Sequence, residues 1–456
     1  MSKGSLTTGT RSGQDLSHPT TLSVLDGIAL LVGVVVGIGI FGFPPLVAQN
    51  SPNQVMYLAL WLGGGAVMLI GALCYAELGS AYPDSGGEYA YLRRAWGNRL
   101  ALLFAWARCS IIQTGAIAAV AFIFGDYAQV LLPLGSHGKA VYAALVVVLL
   151  TGLNILGSHQ SKIVQRFLTG ITVCALLIMA CAALMIEPDS YRMASHPSSM
   201  DLTLSNWELG GALGMGMVFV LLTYGGWNEI AYISGELHDS GRNLLRVLLA
   251  GTLIIVLLYL LVNLAYLRLF GLEGLRQSVA VGADMSAMLA GPWAVIVLSL
   301  LVCCTALGTI NACIFTGGRI YVSLGKDLPA LRALGQWNHS AGSPVSALLL
   351  QGAITLGLIV FGALSENGLQ AMVAYTSPVF WLFMALTALA LVRLRQRDPT
   401  RKRPFKVPAY PVLPVLFALV CLGLGWSSVL YAGAGTWLGL GILLLGVPLF
   451  YLRPRP

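Results

Sequence analysis

The stretch "VVVGIGIFGFPP", Val34 to Pro45, sets three glycines and two prolines inside a run that is otherwise valine, isoleucine and phenylalanine. Gly37, Gly39 and Gly42 spell G-x-G-x-x-G, the spacing of a dinucleotide-binding turn, which needs a strand before it and an acid about 20 residues on. Leu62 stands at that distance, no acid follows before Glu77, and Pro44 and Pro45 come at once. The match is a coincidence of composition. The glycines then have two physical explanations. Small residues let neighbouring membrane helices approach closely. Alternatively the helix is broken in mid-membrane, and its freed N–H and C=O groups line a solute cavity.

The membrane setting follows from the rest of the chain. Of 456 residues, 57% are hydrophobic and 10% charged, with a mean hydropathy of +0.80, against about 25% charged residues in a soluble domain. Apolar runs of about 20 residues, each long enough to cross a bilayer as a helix, recur twelve times. They cover about 23–48, 55–80, 100–132, 139–156, 163–186, 209–236, 243–269, 291–322, 344–364, 369–394, 411–430 and 433–452. The fold class expected is an all-α polytopic membrane protein with 12 transmembrane helices. No cleavable signal sequence is expected, and residues 1–21, polar and rich in Ser, Thr and Gly, read as a disordered tail.

Lys and Arg set the orientation. With the N-terminus in the cytoplasm, 21 of the 26 fall in cytoplasmic segments, seven of them between Arg393 and Lys406. Four (Lys139, Arg192, Arg268, Arg276) fall outside, and Arg108 lies within the third span. Both termini are therefore expected inside. The net charge of +8 reads as topology and attraction to anionic lipid rather than nucleic-acid binding. All eight cysteines lie within spans, so no extracellular disulfide is expected. They read as small packing residues. The six histidines form no H-x-x-x-H pair, and no metal or nucleophile constellation is evident. No cofactor is expected.

The sixth run decides between packing and a break. It reads "GMVFVLLTYGGWNEIAYISGEL", with Gly225 and Gly226 in mid-membrane and Asn228 and Glu229 just beyond. Transporters built from inverted repeats break the corresponding helix in each half, and runs one and six are the first helices of two five-span blocks.

"GIGIF" (37–41), "YGGWNE" (224–229) with "SGEL" (234–237), and "RKRPFKVPAYPVLP" (401–414) resemble the amino acid–polyamine–organocation transporters. "YAELGSAYPDSGGEYAYLRRAWG" (75–97) and "GRNLLRVLLAGTLIIVLLYLLVNLAYL" (241–267) are similar to the same superfamily. The resemblance covers the chain after residue 22. It implies a LeuT-type fold, with a 5+5 inverted repeat over about 22–186 and 209–394, broken helices one and six, and a final basic loop with two additional helices over 395–456. It also implies a secondary active transporter moving an amino acid across the plasma membrane by alternating access. The setting would be a bacterial inner membrane, with coupling to H+ or Na+.

A zwitterion fits such a break head to tail, because free amides at a helix N-terminus attract a carboxylate and free carbonyls at a C-terminus attract an ammonium. By resemblance, Val35, Ile38, Gly39 and Ile40 hold the α-carboxylate and share in binding the amine. Leu222 and Gly225 offer carbonyls to the amine, with Asn228 beside them. The chain also departs from its relatives. Ile38 replaces a common serine, Thr172 stands where many carry a lysine in the fifth span, Arg108 replaces an acid of eukaryotic exchangers, and Leu222 takes the usual place of an aromatic lid.

Ionisable groups at membrane depth carry a large desolvation cost and point to function. The coupling candidates are a proton on Glu229, a sodium ion at Thr172 and Thr309, or Arg108 as a fixed substitute for the lysine. Arg108 also admits a structural ion pair. Glu77 and Glu236, near cytoplasmic helix ends, and Asp26, at the start of span one, read as structural. An amine or polyamine permease is the alternative within this class. An intramembrane enzyme would need Ser/Lys, paired Asp or H-E-x-x-H in the spans, and none is found. A channel fits the paired breaks less well. The outer loop "PLGSHGKA" (133–140) lacks the cysteine by which some relatives bind a heavy subunit, so no disulfide-linked heavy subunit is expected. The expected partners are a small-molecule amino acid and the lipid bilayer.

Overall fold

In a computed structural model, the described residues are 23–82, 87–156, 162–185, 206–229, 240–327, 331–336, 343–431 and 433–448. The expected N-terminal tail and Glu236 lie outside them, and the side chains of Asp26 and Glu229 are not described. The elements in chain order are helices α1 (Val24–Val35), α2 (Gly39–Gly42), α3 (Pro44–Gln49), α4 (Gln54–Ala81), α5 (Glu88–Trp96) and α6 (Asn98–Ala107). A π-helical turn (Arg108–Gln113) joins α6 to α7 (Thr114–Leu131), followed by α8 (Gly138–Ile155), α9 (Lys162–Met185) and α10 (Asn206–Thr223). A 3-10 turn (Trp227–Glu229) precedes α11 (Ser240–Gln277), α12 (Val281–Ala290), α13 (Pro292–Asp327), α14 (Val345–Ala363), α15 (Gly368–Arg397), α16 (Val412–Tyr431) and α17 (Gly433–Leu444).

Among the described residues, eight helices are long and apolar enough to cross a membrane. Shorter apolar helices occupy the first, fifth, sixth and twelfth of the apolar runs. Outward faces such as Trp293, Ile296, Val297 and Leu300 on α13, or Leu249, Leu253 and Leu257 on α11, are exposed. Exposed leucine stripes of this kind suit contact with lipid, where burying them against protein brings no hydrophobic gain. The segment between the seventh and eighth runs differs from the expected loop. It folds into α12, which buries Val281, Ala283 and Met285.

Irregular backbone in the bundle is repaired by hydroxyl groups. Pro378 inside α15 has no N–H for the carbonyl of Ala374, and the Thr436 hydroxyl of α17 shares its proton between that carbonyl at 3.3 Å and that of Ser428 at 3.2 Å. Within the π-helical turn, Tyr321 donates to the Cys109 carbonyl at 2.6 Å and Tyr375 to the Ser110 carbonyl at 2.7 Å. Such local departures from helix geometry concentrate at functional sites.

The basic segment after α15 folds against the end of α4. Glu77 is fully buried and accepts from Arg395 through both carboxylate oxygens, and from the Val407 amide at 2.7 Å. Arg403 approaches it at 3.5 Å, and Arg401 caps the Ala81 carbonyl at 3.0 Å. Part of the charge read from sequence as attraction to lipid is thus used to close this end of the bundle.

Candidate functional site

The first run is interrupted at Val36, Gly37 and Ile38. Beyond the gap, Phe43 keeps helical angles (φ −90°, ψ −25°), and its amide bonds to the Gly39 carbonyl at 2.9 Å. Helices α2 and α3 therefore run on as one half-helix from Gly39 to Gln49. The sixth run is interrupted at Tyr224, Gly225 and Gly226, where Gly226 adopts φ +101°, an angle open mainly to glycine.

The two interruptions face one another. A Cβ on Gly39 would lie 2.9 Å from the Thr223 Cα, and one on Gly226 would lie 3.0 Å from the Val34 carbonyl oxygen. The buried Tyr259 of α11 joins them, its hydroxyl reaching the Val35 carbonyl at 3.0 Å and the Thr223 carbonyl at 3.3 Å. Two further tyrosines support the first run. Tyr266 donates to the Ile40 carbonyl at 3.4 Å and Tyr127 to the Phe41 carbonyl at 3.2 Å. Sequence reasoning missed all three tyrosines. The seven-residue spacing of Tyr259 and Tyr266 places both on one helix face and was the available signal.

The expected ligand positions come together around this gap. Ile38 is the N-cap of the second half-helix without a side-chain cap, and the amides of Ile38, Gly39 and Ile40 have no hydrogen-bond partner among the described residues. Val35 and Ile40 are buried, and Val35 ends the first half-helix with its carbonyl held by Tyr259. On the opposite segment, the Leu222 carbonyl already accepts the Gly225 amide at 3.1 Å. Asn228 turns the other way, its amide nitrogen 3.4 Å from Glu88.

The coupling candidates separate in space. Thr172 on α9 is buried, with its hydroxyl 3.1 Å from that of Thr305 on α13. Thr305 also reaches the Leu301 carbonyl at 2.9 Å, and Thr309 donates to the Thr305 carbonyl at 3.1 Å. Thr305, absent from the expected set, is the direct partner of Thr172. Arg108 does not join these threonines. Its guanidinium pairs with Glu88, the first residue of α5, and lies over the Phe104 ring at 5.9 Å. Substitution for the fifth-span lysine is therefore not what its side chain forms, and the ion pair, the other possibility for this arginine, is the geometry present. Glu88 escaped notice because it follows a glycine pair that reads as a surface turn. Glu229 belongs to the 3-10 turn after the second interruption. Among the described residues, no three His, Cys, Asp or Glu side chains cluster as metal ligands.

Comparison with known proteins identifies relatives of the chain. The chain is 29% identical to the b(0,+)-type amino acid transporter 1 of Mus musculus, over 94% of this chain and 87% of that protein. It is 27% identical to the cystine/glutamate transporter of Homo sapiens, over 94% and 84%. To the large neutral amino acids transporter small subunit 2 of Oryctolagus cuniculus it is 27% identical, over 94% and 80%. With apolar helices throughout and residues 22–444 matching the amino acid permease family, this multi-pass membrane protein belongs to that family.

Proposed function

We propose that the protein is a secondary active transporter that carries an amino acid across the plasma membrane by alternating access. The observation that carries this is the set of unfilled amides at Ile38, Gly39 and Ile40, set against the second interruption. A helix N-terminus with free N–H groups attracts a carboxylate. Val35, Ile38, Gly39 and Ile40 are the proposed carboxylate side of the site, and Leu222, Gly225 and Asn228 the amine side. The relatives' names, which specify amino acids of several kinds, support this substrate class.

In this proposal the twelve apolar runs are twelve spans, one to five and six to ten form inverted repeats, and both termini lie in the cytoplasm of a bacterial cell. The distribution of Lys and Arg supports that orientation. Coupling is assigned to a proton on Glu229, with sodium at Thr172, Thr305 and Thr309 as the competing arrangement. The loop between α7 and α8 contains no cysteine, which supports function without a disulfide-linked partner. Uptake of a labelled amino acid panel into proteoliposomes, with and without proton and sodium gradients, tests the proposal. Stabilisation by diamines but by no amino acid would replace it with an amine permease.

A further inference from the structure

We infer that the Glu88–Arg108 pair is a second docking site for the transported amino acid, on the cytoplasmic side of the break, and this rests on the function proposed above. A cavity of about 10 Å³, room for about one water, lies here, lined by Tyr75, Glu88, Phe104, Arg108, Met384 and Thr387, so a larger solute enters only as the ion pair opens. The cavity walls are aromatic, aliphatic and thioether groups with the Thr387 hydroxyl among them, and one cation and one anion are in contact. The Glu88 side chain is 7% exposed and that of Arg108 is 22% exposed. An ion pair in such surroundings is weak evidence for stability, since apolar residues of the same volume often serve equally well. Arg108 lies within the third span, and an ionisable residue at membrane depth instead marks a solute pathway.

The cavity is one contact from the substrate gap. Glu88 accepts from Arg108 on one oxygen, and on the other from Tyr75 at 3.2 Å and Asn228 at 3.4 Å. Asn228 lies two residues past Gly226, at the start of the inner segment of the sixth span, and Tyr75 stacks edge-on against Trp227 at 5.2 Å. A solute leaving the gap along this segment meets Glu88 as Asn228 moves away.

The pair is complementary to a zwitterion. An arriving carboxylate takes the place of Glu88 on Arg108, while the ammonium takes the place of Arg108 and Asn228 on Glu88. Every charge keeps an opposite partner during the exchange, and the net charge of the cavity stays zero. That avoids the cost of a lone charge at low dielectric. The apolar walls receive the substrate side chain without demanding a specific polar partner, and the Met384 thioether adapts to different shapes.

Transport kinetics measured from each face of proteoliposomes test the site, with Arg108→Gln and Glu88→Gln as probes and Arg108→Lys and Glu88→Asp as conservative controls. Losing one hydrogen bond to a charged group is worth about tenfold or more in affinity. The glutamine variants should therefore raise the apparent KM at the cytoplasmic face by about tenfold or more, leave the outer-face KM unchanged, and be partly rescued by the lysine and aspartate variants. A structural pair would instead lower thermal stability and alter both faces alike. Equal changes at both faces, or no change, overturns the inference while leaving transport established. If the glutamine variants fail to fold, the same sidedness measured in the conservative pair decides. A wild-type protein that moves no amino acid overturns the functional proposal and this site together.

Discussion

Tyr259→Phe removes a single hydroxyl from the place where the two interrupted helices meet. The ring is fully buried, and the hydroxyl reaches the Val35 and Thr223 carbonyls at 3.0 and 3.3 Å. A hydroxyl has one proton, so it satisfies the two acceptors in alternation, and its loss orphans the equivalent of one buried carbonyl. An unsatisfied buried acceptor costs about 1–3 kcal/mol, which is about 5-fold to 150-fold in a folding or binding equilibrium. Phenylalanine keeps the packing against Trp61 and Tyr224, whose ring centres lie 5.9 and 5.0 Å away, so the change isolates the hydrogen bond. Thermal unfolding in detergent, followed by intrinsic fluorescence with and without amino acid, gives the readout. Tyr266→Phe is the control, because that hydroxyl reaches only the Ile40 carbonyl, at 3.4 Å. Tyr259→Phe should melt below both wild type and the control, and should gain less stability from added substrate. If it melts with wild type and gains equally from substrate, the hydroxyl does not hold the break together.

Other perturbations separate the remaining roles. Gly39→Ala should lose substrate-induced stabilisation, since its Cβ meets the Thr223 Cα at 2.9 Å. Gly37→Ala has only the Val35 carbonyl oxygen at 3.9 Å to meet and should keep the fold, so equal behaviour in a thermal-shift assay would contradict the facing geometry. Glu77→Gln strips Arg395 and Arg403 of a buried counter-charge, for which the expected loss is about 3–5 kcal/mol. A melting temperature unchanged from wild type would show the basic segment held by other means. Glu229→Gln should abolish proton-driven uptake but preserve exchange, and pH-driven transport by that variant would move coupling to Thr172. Thr172→Val should then abolish sodium-driven uptake, measured in the same vesicles.

Helix positions were legible because hydropathy over 20 residues is a strong local signal, and the two interruptions because their glycines recur at the first helix of each five-span block; glycines alone do not mark a break, since Gly63–Gly65 lie within the continuous α4. The ends were less so. Helix α11 runs on to Gln277 past Gly271, which turns at φ 64°, and α12 follows in what reads as a loop, because a helix of ten residues is too short to register as a span. Partners distant in sequence were hidden. Arg108 was recognisable as a group needing a counter-charge, but which acid supplied it depended on α5 folding back under the third span. Tyr259, Tyr266 and Tyr127 look like ordinary aromatic membrane residues until the carbonyls they serve are in place. Thr172 was found by position, whereas its partner Thr305 was passed over for Thr309 one turn away.

The broken backbone is unevenly satisfied, and the imbalance bears on the substrate. Tyr266 and Tyr127 occupy the carbonyls of Ile40 and Phe41, Tyr259 serves those of Val35 and Thr223 in turn with its single proton, and the Gly225 amide occupies that of Leu222. The amides of Ile38, Gly39 and Ile40 are not occupied within the described residues. The gap therefore offers free donors at Ile38, Gly39 and Ile40, beside carbonyls such as that of Val36 that also accept no hydrogen bond among the described residues. A diamine brings only donors and would leave these amides unfilled, while competing with three tyrosines for the carbonyls. A zwitterion brings a carboxylate to the amides and an ammonium with three N–H donors to the carbonyls of the opposite segment. The accounting thus favours an α-amino acid over a polyamine. In the proposed site the two ends of that solute would meet different restraints: the carboxylate would sit on the half-helix clamped by Tyr127 and Tyr266, and the ammonium would face the segment that leads through Asn228 to Glu88. Movement of that second segment would release the positive end first, toward Glu88, which already accepts from Asn228.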